Sequence, residues 1–366
     1  MDLRRHMGMI SENFWRGKRV FLTGHNGFKG AWLSLLLQNM GAIVTGYSLA
    51  PEAGRNLFEL AKVADGMHSI IGDIRDCNKL ADAVRESKPE IVFHLAAQAL
   101  VRRAYSDPVQ TYSTNVMGLV NLFEAIRNYG SARALVNVTS DKCYENKEWV
   151  WAYREDEPMG GHDPYSSSKA CAEIITSAYH RSYFNGDKQG VAIASARAGN
   201  VIGGGDWAQD RLVPDIIRAF EAGKTVDIRN PSSIRPWQHV LEPLSGYLLL
   251  AQKLFESGKQ FSGAWNFGPS NEGEKSVQWI VEKLVSEWGD GASWRIIGNT
   301  GPHEAQILKL DCSKARTKLH WSPSWDIGTT ISKLTTWYKH VAAGGDCRSL
   351  TRQQINDYVA ALAARV

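Results

Sequence analysis

A phenol and an ammonium one helical turn apart form the first reactive pair in this chain. Tyr165-Ser166-Ser167-Ser168-Lys169 puts Tyr165 and Lys169 at i and i+4 on one helical face, directly after Pro164. A phenol is too weak an acid to exchange protons near neutrality unaided. A lysine charge, together with a cationic ring on a bound cofactor, supplies the stabilisation of the phenolate that such an exchange needs. Tyr165 then accepts the proton of a substrate hydroxyl as hydride leaves the carbon. Upstream, Thr139-Ser140-Asp141-Lys142 offers a hydroxyl, a carboxyl and an amine in succession. Ser140 is placed to hydrogen-bond the reacting hydroxyl beside Tyr165. Asp141 and Lys142 add a candidate acid and a candidate base that plain hydride transfer does not require; the competing reading is a salt-bridging surface turn.

The second motif is Thr23-Gly24-His25-Asn26-Gly27-Phe28-Lys29-Gly30, with Gly24, Gly27 and Gly30 between an expected strand and an expected helix. Glycine there allows a tight turn and the close approach of a pyrophosphate to a helix N-terminus, whose free N–H groups and dipole favour an anion. His25 and Lys29 lie near the phosphates in this reading and face solvent in the alternative. Gly46-Tyr47-Ser48-Leu49-Ala50 lacks the carboxylate that commonly receives a ribose, which weakens the choice of NAD over NADP. Asp73 is placed either to accept an adenine amino group or to cap a helix. In the second half Arg211, Arg229 and Arg235 are candidates to hold a diphosphate, and Asn200 with Gly203–Gly205 offers backbone approach to a nucleotide. Each also has a plain reading, as surface arginines and glycine turns. His239 and His303 lie near these segments, but no histidine spacing supports a metal site.

These residues need a scaffold that brings strand ends together. Short β-branched runs alternate with helical patterns, the signature of a doubly wound parallel α/β sheet of Rossmann type. Strands are expected at Arg19–Thr23, Ile43–Tyr47, Ser69–Gly72, Ile91–Leu95, Ala134–Thr139 and Val191–Arg197. Between the first two, Leu33, Leu36, Leu37 and Met40 follow helical spacing and predict one face packed on the sheet. Further helices are expected over 115–127, 164–184, 214–221 and 277–287. After about Gly199 the alternation fades, so residues 1–198 read as predominantly dinucleotide-binding and 199–366 as a smaller mixed substrate lobe interleaved with late strands.

The bulk properties exclude several classes. With 42 basic and 38 acidic residues in 366, a net charge of +4 is dispersed without long runs, which argues against a nucleic-acid partner. Cys77, Cys143, Cys171, Cys312 and Cys347 are odd in number and never form CxxC, against both a disulfide framework and zinc. No apolar stretch reads as a secretory signal or membrane span, so a cytoplasmic setting is expected. Asn137-Val138-Thr139 matches a glycosylation acceptor only by accident, inside an expected buried strand.

Together the segments TGHNGFKG (23–30), HLAAQ (94–98), TSDKCY (139–144), YSSSK (165–169), RAGNVIGGGDWAQDR (197–211) and IRPWQHVLEP (234–243) resemble the extended short-chain dehydrogenases. Within them the chain is similar to the CDP-glucose 4,6-dehydratase branch, from about Phe14 to Trp337. Sugar-nucleotide 4,6-dehydratases generally carry Asp-Glu after the hydroxyl residue, and the CDP-glucose branch looks like the lysine version seen at Asp141-Lys142. The resemblance implies NAD bound by Gly24, His25, Asn26, Gly27, Phe28, Lys29, Gly30, Asp73, Ile74, Leu95, Ala96, Ala97, Tyr165 and Lys169. It implies a substrate, CDP-glucose, held by Gln98, Asn200, Arg211, Leu212, Val213, Arg229, Arg235 and His303. The implied catalytic set is Ser140, Asp141, Lys142, Tyr165 and Lys169. Tyr165 takes the 4-hydroxyl proton as hydride moves to NAD, Lys142 removes the C5 proton, Asp141 protonates the departing C6 hydroxyl, and hydride returns to C6. Lys142 has two other roles open to it, positioning the carboxylate or stabilising an enolate. A homodimer or homotetramer through the helices over 115–127 and 164–184 is also implied, although a buried monomer core gives the same pattern. The rivals are a sugar-nucleotide 4-epimerase, which needs no elimination groups, and a noncatalytic dinucleotide-sensing scaffold.

Overall fold

Seven short apolar strands form one parallel sheet. They are β1 (Arg19–Thr23), β2 (Ile43–Ser48), β3 (His68–Ile71), β4 (Ile91–His94), β5 (Ala134–Val138), β6 (Ala192–Ala198) and β7 (Gly263–Phe267). The protein is described here by a computed structural model, which covers residues 10–185, 190–289, 291–298 and 307–365. Across the sheet the order is β7-β6-β5-β4-β1-β2-β3. The six strands expected from sequence are all present, each bound within one residue of expectation. β7 comes from the second half of the chain and pairs with β6, Gly263 opposite Ala194 through Phe267 opposite Ala198.

Strand alternation builds two cores. Phe21, Val92, Leu135 and Ile193 point to one face, where Leu80, Leu119, Leu122 and Phe123 cover them. Their neighbours Val20, Leu22, Ile91, Phe93, Val136 and Ala194 point to the other, under Trp32, Leu36, Leu248 and Trp337. Burial on both sides is why β4, β5 and β6 are mostly apolar, with His94, Asn137, Ser195 and Arg197 as buried polar exceptions. Each fully buried large side chain contributes roughly 1.5–3 kcal/mol.

The helices that matter to the site are α1 (Phe28–Asn39), α2 (Cys77–Ser87), α3 (Gly118–Tyr129), α4 (Pro164–Tyr179), α5 (Leu212–Glu221), α6 (Leu241–Ser257), α7 (Ile327–Ala342) and α8 (Cys347–Ala363). α1 corrects the one-face expectation, because every residue from Gly30 to Leu37 is buried. The second core continues past it to α6 and α8, so its outer side meets protein rather than water. The helix expected over 115–127 begins as a π-helical turn, Ser113–Met117, and the one over 164–184 ends in another, His180–Phe184. The first of these turns aims Asn115 inward, where its Oδ1 accepts from Gln98 N at 2.8 Å.

The strand order reverses between β1 and β4, the switch point at whose carboxyl ends doubly wound sheets bind ligands. Among the described residues no helix is long and apolar enough to cross a membrane, and no group of three or more His, Cys, Asp or Glu side chains could hold a metal.

Candidate active site

The glycine loop joins β1 to α1, and its three glycines do different work. Thr23 Oγ1 meets His94 Nδ1 at 2.7 Å and accepts from Leu95 N and Ala96 N, which clamps the end of β1 to the end of β4. Gly24 has φ +74°, and a Cβ there would lie 2.7 Å from Ala96 N; at Gly30 it would lie 2.0 Å from Gly24 O. Both are required by packing. At Gly27 a Cβ would meet only Gly24 O, at 3.5 Å. Gly27 is exposed and is the N-cap of α1, with no side-chain cap on the N–H groups behind it. Open space over an uncapped helix N-terminus fits a dinucleotide pyrophosphate.

His25 does not face solvent. It is buried against Phe58, its Nε2 lies 2.7 Å from Ser69 Oγ, and burial lowers its pKa to about 4. A neutral imidazole supplies no charge to a phosphate. Asn26 accepts from Ser48 Oγ at 2.6 Å and donates to Leu49 O, so an amide and a hydroxyl occupy the end of β2 where no carboxylate stands. The Asp73 carboxylate is held by Arg75 through its guanidinium and its backbone N–H, which pulls its pKa down. Ile74 is buried against Gly118. Gln98 spends its side chain within the fold: Nε2 donates to Leu100 O and Thr111 Oγ1, and Oε1 accepts from Leu100 N. It shapes the loop after Leu95, Ala96 and Ala97 rather than presenting a free amide to a ligand.

Ser140, Asp141, Tyr165 and Lys169 converge where β5 ends and α4 begins. Asp163 caps α4, accepting from Tyr165 N and Ser166 N at 2.9 Å each, with Pro164 in the first turn. That cap fixes the register of the helix carrying both residues. Tyr165 is buried; burial pushes its pKa up to about 12, against the opposing pull of Ser140 and Arg211. Lys169 follows one turn along the same helix, as the spacing predicts. Its Nζ donates to Val138 O at 3.3 Å, and burial lowers its pKa to about 8 while Glu173 opposes that shift.

Ser140 caps the turn Asp141–Cys143, and its Oγ lies 3.1 Å from Asp141 Oδ1. Asp141 Oδ2 is buried without a partner. Burial raises the pKa of this carboxyl, although the charges of Lys142, Arg235 and Lys29 oppose it. A raised pKa and one oxygen without a partner suit a carboxyl to proton donation. Lys142 itself is exposed, on the solvent side of the turn. Lys29 is half-buried in the first turn of α1, within electrostatic reach of Asp141, Lys169, Arg211 and Asp206, and desolvation lowers its pKa to about 8. The structure thus brings Lys29 to the acid as well as to the glycine loop.

From the second half, Arg211 is the N-cap of α5 and pairs with Asp206 at 2.8 Å. Leu212 and Val213 form the first turn of α5, whose N–H groups have no side-chain cap. Arg235 lies in the short strand Ile234–Pro236, electrostatically coupled to Asp141. Asn200 follows β6, and its carbonyl accepts from Gln238 N at 3.0 Å. Arg229 is half-buried after the strand Val226–Ile228. His303 lies outside the described residues. His239 is buried among Trp32 and Trp325 and is kept neutral by burial, a packing residue.

The family model described as GDP-mannose 4,6 dehydratase matches residues 21–334. The chain belongs to the GDP-mannose 4,6 dehydratase family. Within that family it is 57% identical to a CDP-glucose 4,6-dehydratase of Salmonella typhimurium, over 96% of this chain and 99% of that protein. The fold is shared with a dTDP-glucose 4,6-dehydratase of Streptomyces venezuelae crystallised with NAD, at TM-score 0.77 and 23% identity, covering 90% of this chain and 99% of that one. It is shared almost equally with a UDP-glucose 4-epimerase of Thermotoga maritima, at TM-score 0.75 and 22% identity, covering 88% and 99%. The fold of this dehydratase-family chain therefore does not separate dehydratase from epimerase.

Sequence reasoning missed the residues beneath the site. Glu173, Arg197, Thr139 and Tyr144 form a buried polar network behind Lys169. A signal for one member existed: Glu173 continues the four-residue step from Tyr165 through Lys169. Arg197 could not be found that way, because it reaches Glu173 from strand β6.

Proposed function

We propose that this protein is an NAD-dependent CDP-glucose 4,6-dehydratase, producing CDP-4-keto-6-deoxyglucose and water. The observation that carries the reading is the 57% identity, over nearly the full length of both chains, with a CDP-glucose 4,6-dehydratase. Bound NAD supplies a hydride acceptor at C4 and the hydride donor at C6. The side chains do the rest. Tyr165, beside Ser140, takes the proton of the 4-hydroxyl, and the Lys169 ammonium stabilises the resulting phenolate. The 4-keto group acidifies C5–H, and Asp141, whose pKa burial raises, donates a proton to the leaving C6 hydroxyl. Lys142 is the base for the C5 proton in this reading. Lys29 is a second candidate, because its desolvated amine near Asp141 keeps a neutral fraction at neutral pH.

In the same reading residues 1–198 chiefly hold NAD and 199–366 chiefly hold the sugar nucleotide, with Arg211, the N-terminus of α5 and Arg235 disposed for the diphosphate. Exposed apolar side chains on the outer helices, among them Val109, Met117, Ile174 and Tyr183, support a homodimer or homotetramer. The test is incubation of the NAD-loaded protein with CDP-glucose, and separately with UDP- and dTDP-glucose, followed by mass spectrometry. Loss of water from CDP-glucose without net NADH is the expected result. Isomerisation without water loss would make the protein an epimerase.

A further inference from the structure

We propose that Glu173 is a positioning residue that holds the Lys169 ammonium charged and in register for proton transfer at Tyr165, an assignment that rests on the tyrosine–lysine reading above. Glu173 lies one turn beyond Lys169 on α4, and both side chains are buried. Its carboxylate is fixed from two strands. Thr139 Oγ1, at the end of β5, donates to Oε1; Ser195 Oγ donates to Oε2 at 2.6 Å and Arg197 Nη2 at 2.8 Å, both from β6. Arg197 Nη1 continues to Tyr144 Oη at 2.7 Å, and Tyr144 Oη donates to Asn266 Oδ1 on β7 at 2.7 Å. The helix carrying Tyr165 and Lys169 is thereby pinned to β5, β6 and β7, one residue from Ser140.

Charge gives the network a second consequence. Burial favours loss of the Lys169 proton, the Lys29 amine of α1 is a like charge within electrostatic reach, and His94 of β4, kept neutral by burial, adds no charge. The groups opposing that loss are Glu173, on its own helix, and Cys143, from the turn after β5. Cys143 is a thiol pushed well up by burial and carries no charge near neutrality. Glu173 is then the nearby anion that keeps Lys169 an ammonium. Its own carboxyl is held low by Arg197, Ser195 and Thr139 against the cost of burial.

The test compares Glu173→Gln, Glu173→Gln/Arg197→Met and Glu173→Asp as NAD-loaded proteins, with Tyr165→Phe as a control. The double variant leaves no unpaired buried guanidinium and decides the matter if the single variant does not fold. The readout is the alkaline limb of kcat/KM for CDP-glucose, alongside NAD content and thermal unfolding. Losing a nearby opposite charge typically moves a pKa by about one unit or more. We expect the limb to move to lower pH by about one unit in Glu173→Gln, to move in the same direction in the double variant, and to return toward the original position in Glu173→Asp. A folded double variant with an unmoved limb, while Tyr165→Phe is inactive, overturns the assignment of Glu173 alone. Full turnover by Tyr165→Phe takes down the tyrosine–lysine reading and this proposal with it.

Discussion

Replacing Asp141 by asparagine separates the elimination from the oxidation that precedes it. The side chain is almost the same size, Oδ1 still accepts from Ser140, and the amide takes the place of a buried Oδ2 that has no partner. What disappears is the transferable proton. A positioned general acid is worth about 10²–10⁴ in rate, which corresponds to roughly 3–5.5 kcal/mol of barrier. The structure adds an opposite effect on stability. Burial raises the folded pKa of Asp141, so the stability it contributes is present below the unfolded value and lost as pH rises through the folded one. Asparagine does not ionise, so Asp141→Asn should be the more stable protein at neutral pH. The assay is single turnover with CDP-glucose, following nicotinamide absorbance and product mass, with thermal melts at matched pH. C4 oxidation should proceed and leave reduced cofactor on the enzyme, with water loss slowed by about two decades or more. Turnover within a few-fold of the parent refutes Asp141 as the acid, and a lowered melting temperature refutes the account of its burial.

The choice of base is settled by comparing Lys142→Met with Lys29→Met in the same assay: loss of C5 deuterium exchange with nucleotide binding retained identifies the amine concerned, and unchanged turnover in Lys142→Met rules that residue out. Gly27→Val should fold, because its side chain enters open space, yet should lose NAD retention measured on the purified protein; Gly24→Val should fail to fold, given its positive φ and contact with Ala96. Glu242 is buried, accepts from Ser324 N, Trp325 N and Tyr358 Oη, and has its pKa raised by burial to about 7. As an acid with a raised folded pKa, it contributes stability below its unfolded value that fades as pH rises through about 7. The stability gap between the parent and Glu242→Gln, read from urea melts, should therefore narrow between about pH 5 and pH 8; a gap constant across that range refutes the linkage.

Period and punctuation in the chain alone determined the parallel sheet, six of its strands, the glycine turn and the placing of Tyr165 and Lys169 one turn apart. These are local properties: strand alternation, helical spacing and a proline beside an aspartate cap act over a few residues. The choice of sugar nucleotide came from resemblance between whole segments, since no single residue encodes cytosine. Only the tertiary structure decided which charges meet. Lys29 and Lys142 look alike in sequence, yet one is desolvated beside Asp141 and the other is exposed. Gln98 reads as a free amide and is spent on Leu100 and Thr111. Glu173 of α4 is buried against Arg197 of β6, a pairing between distant segments. Burial and long-range pairing set these states, and both depend on how the helices lie across the sheet, which is information no local spacing carries.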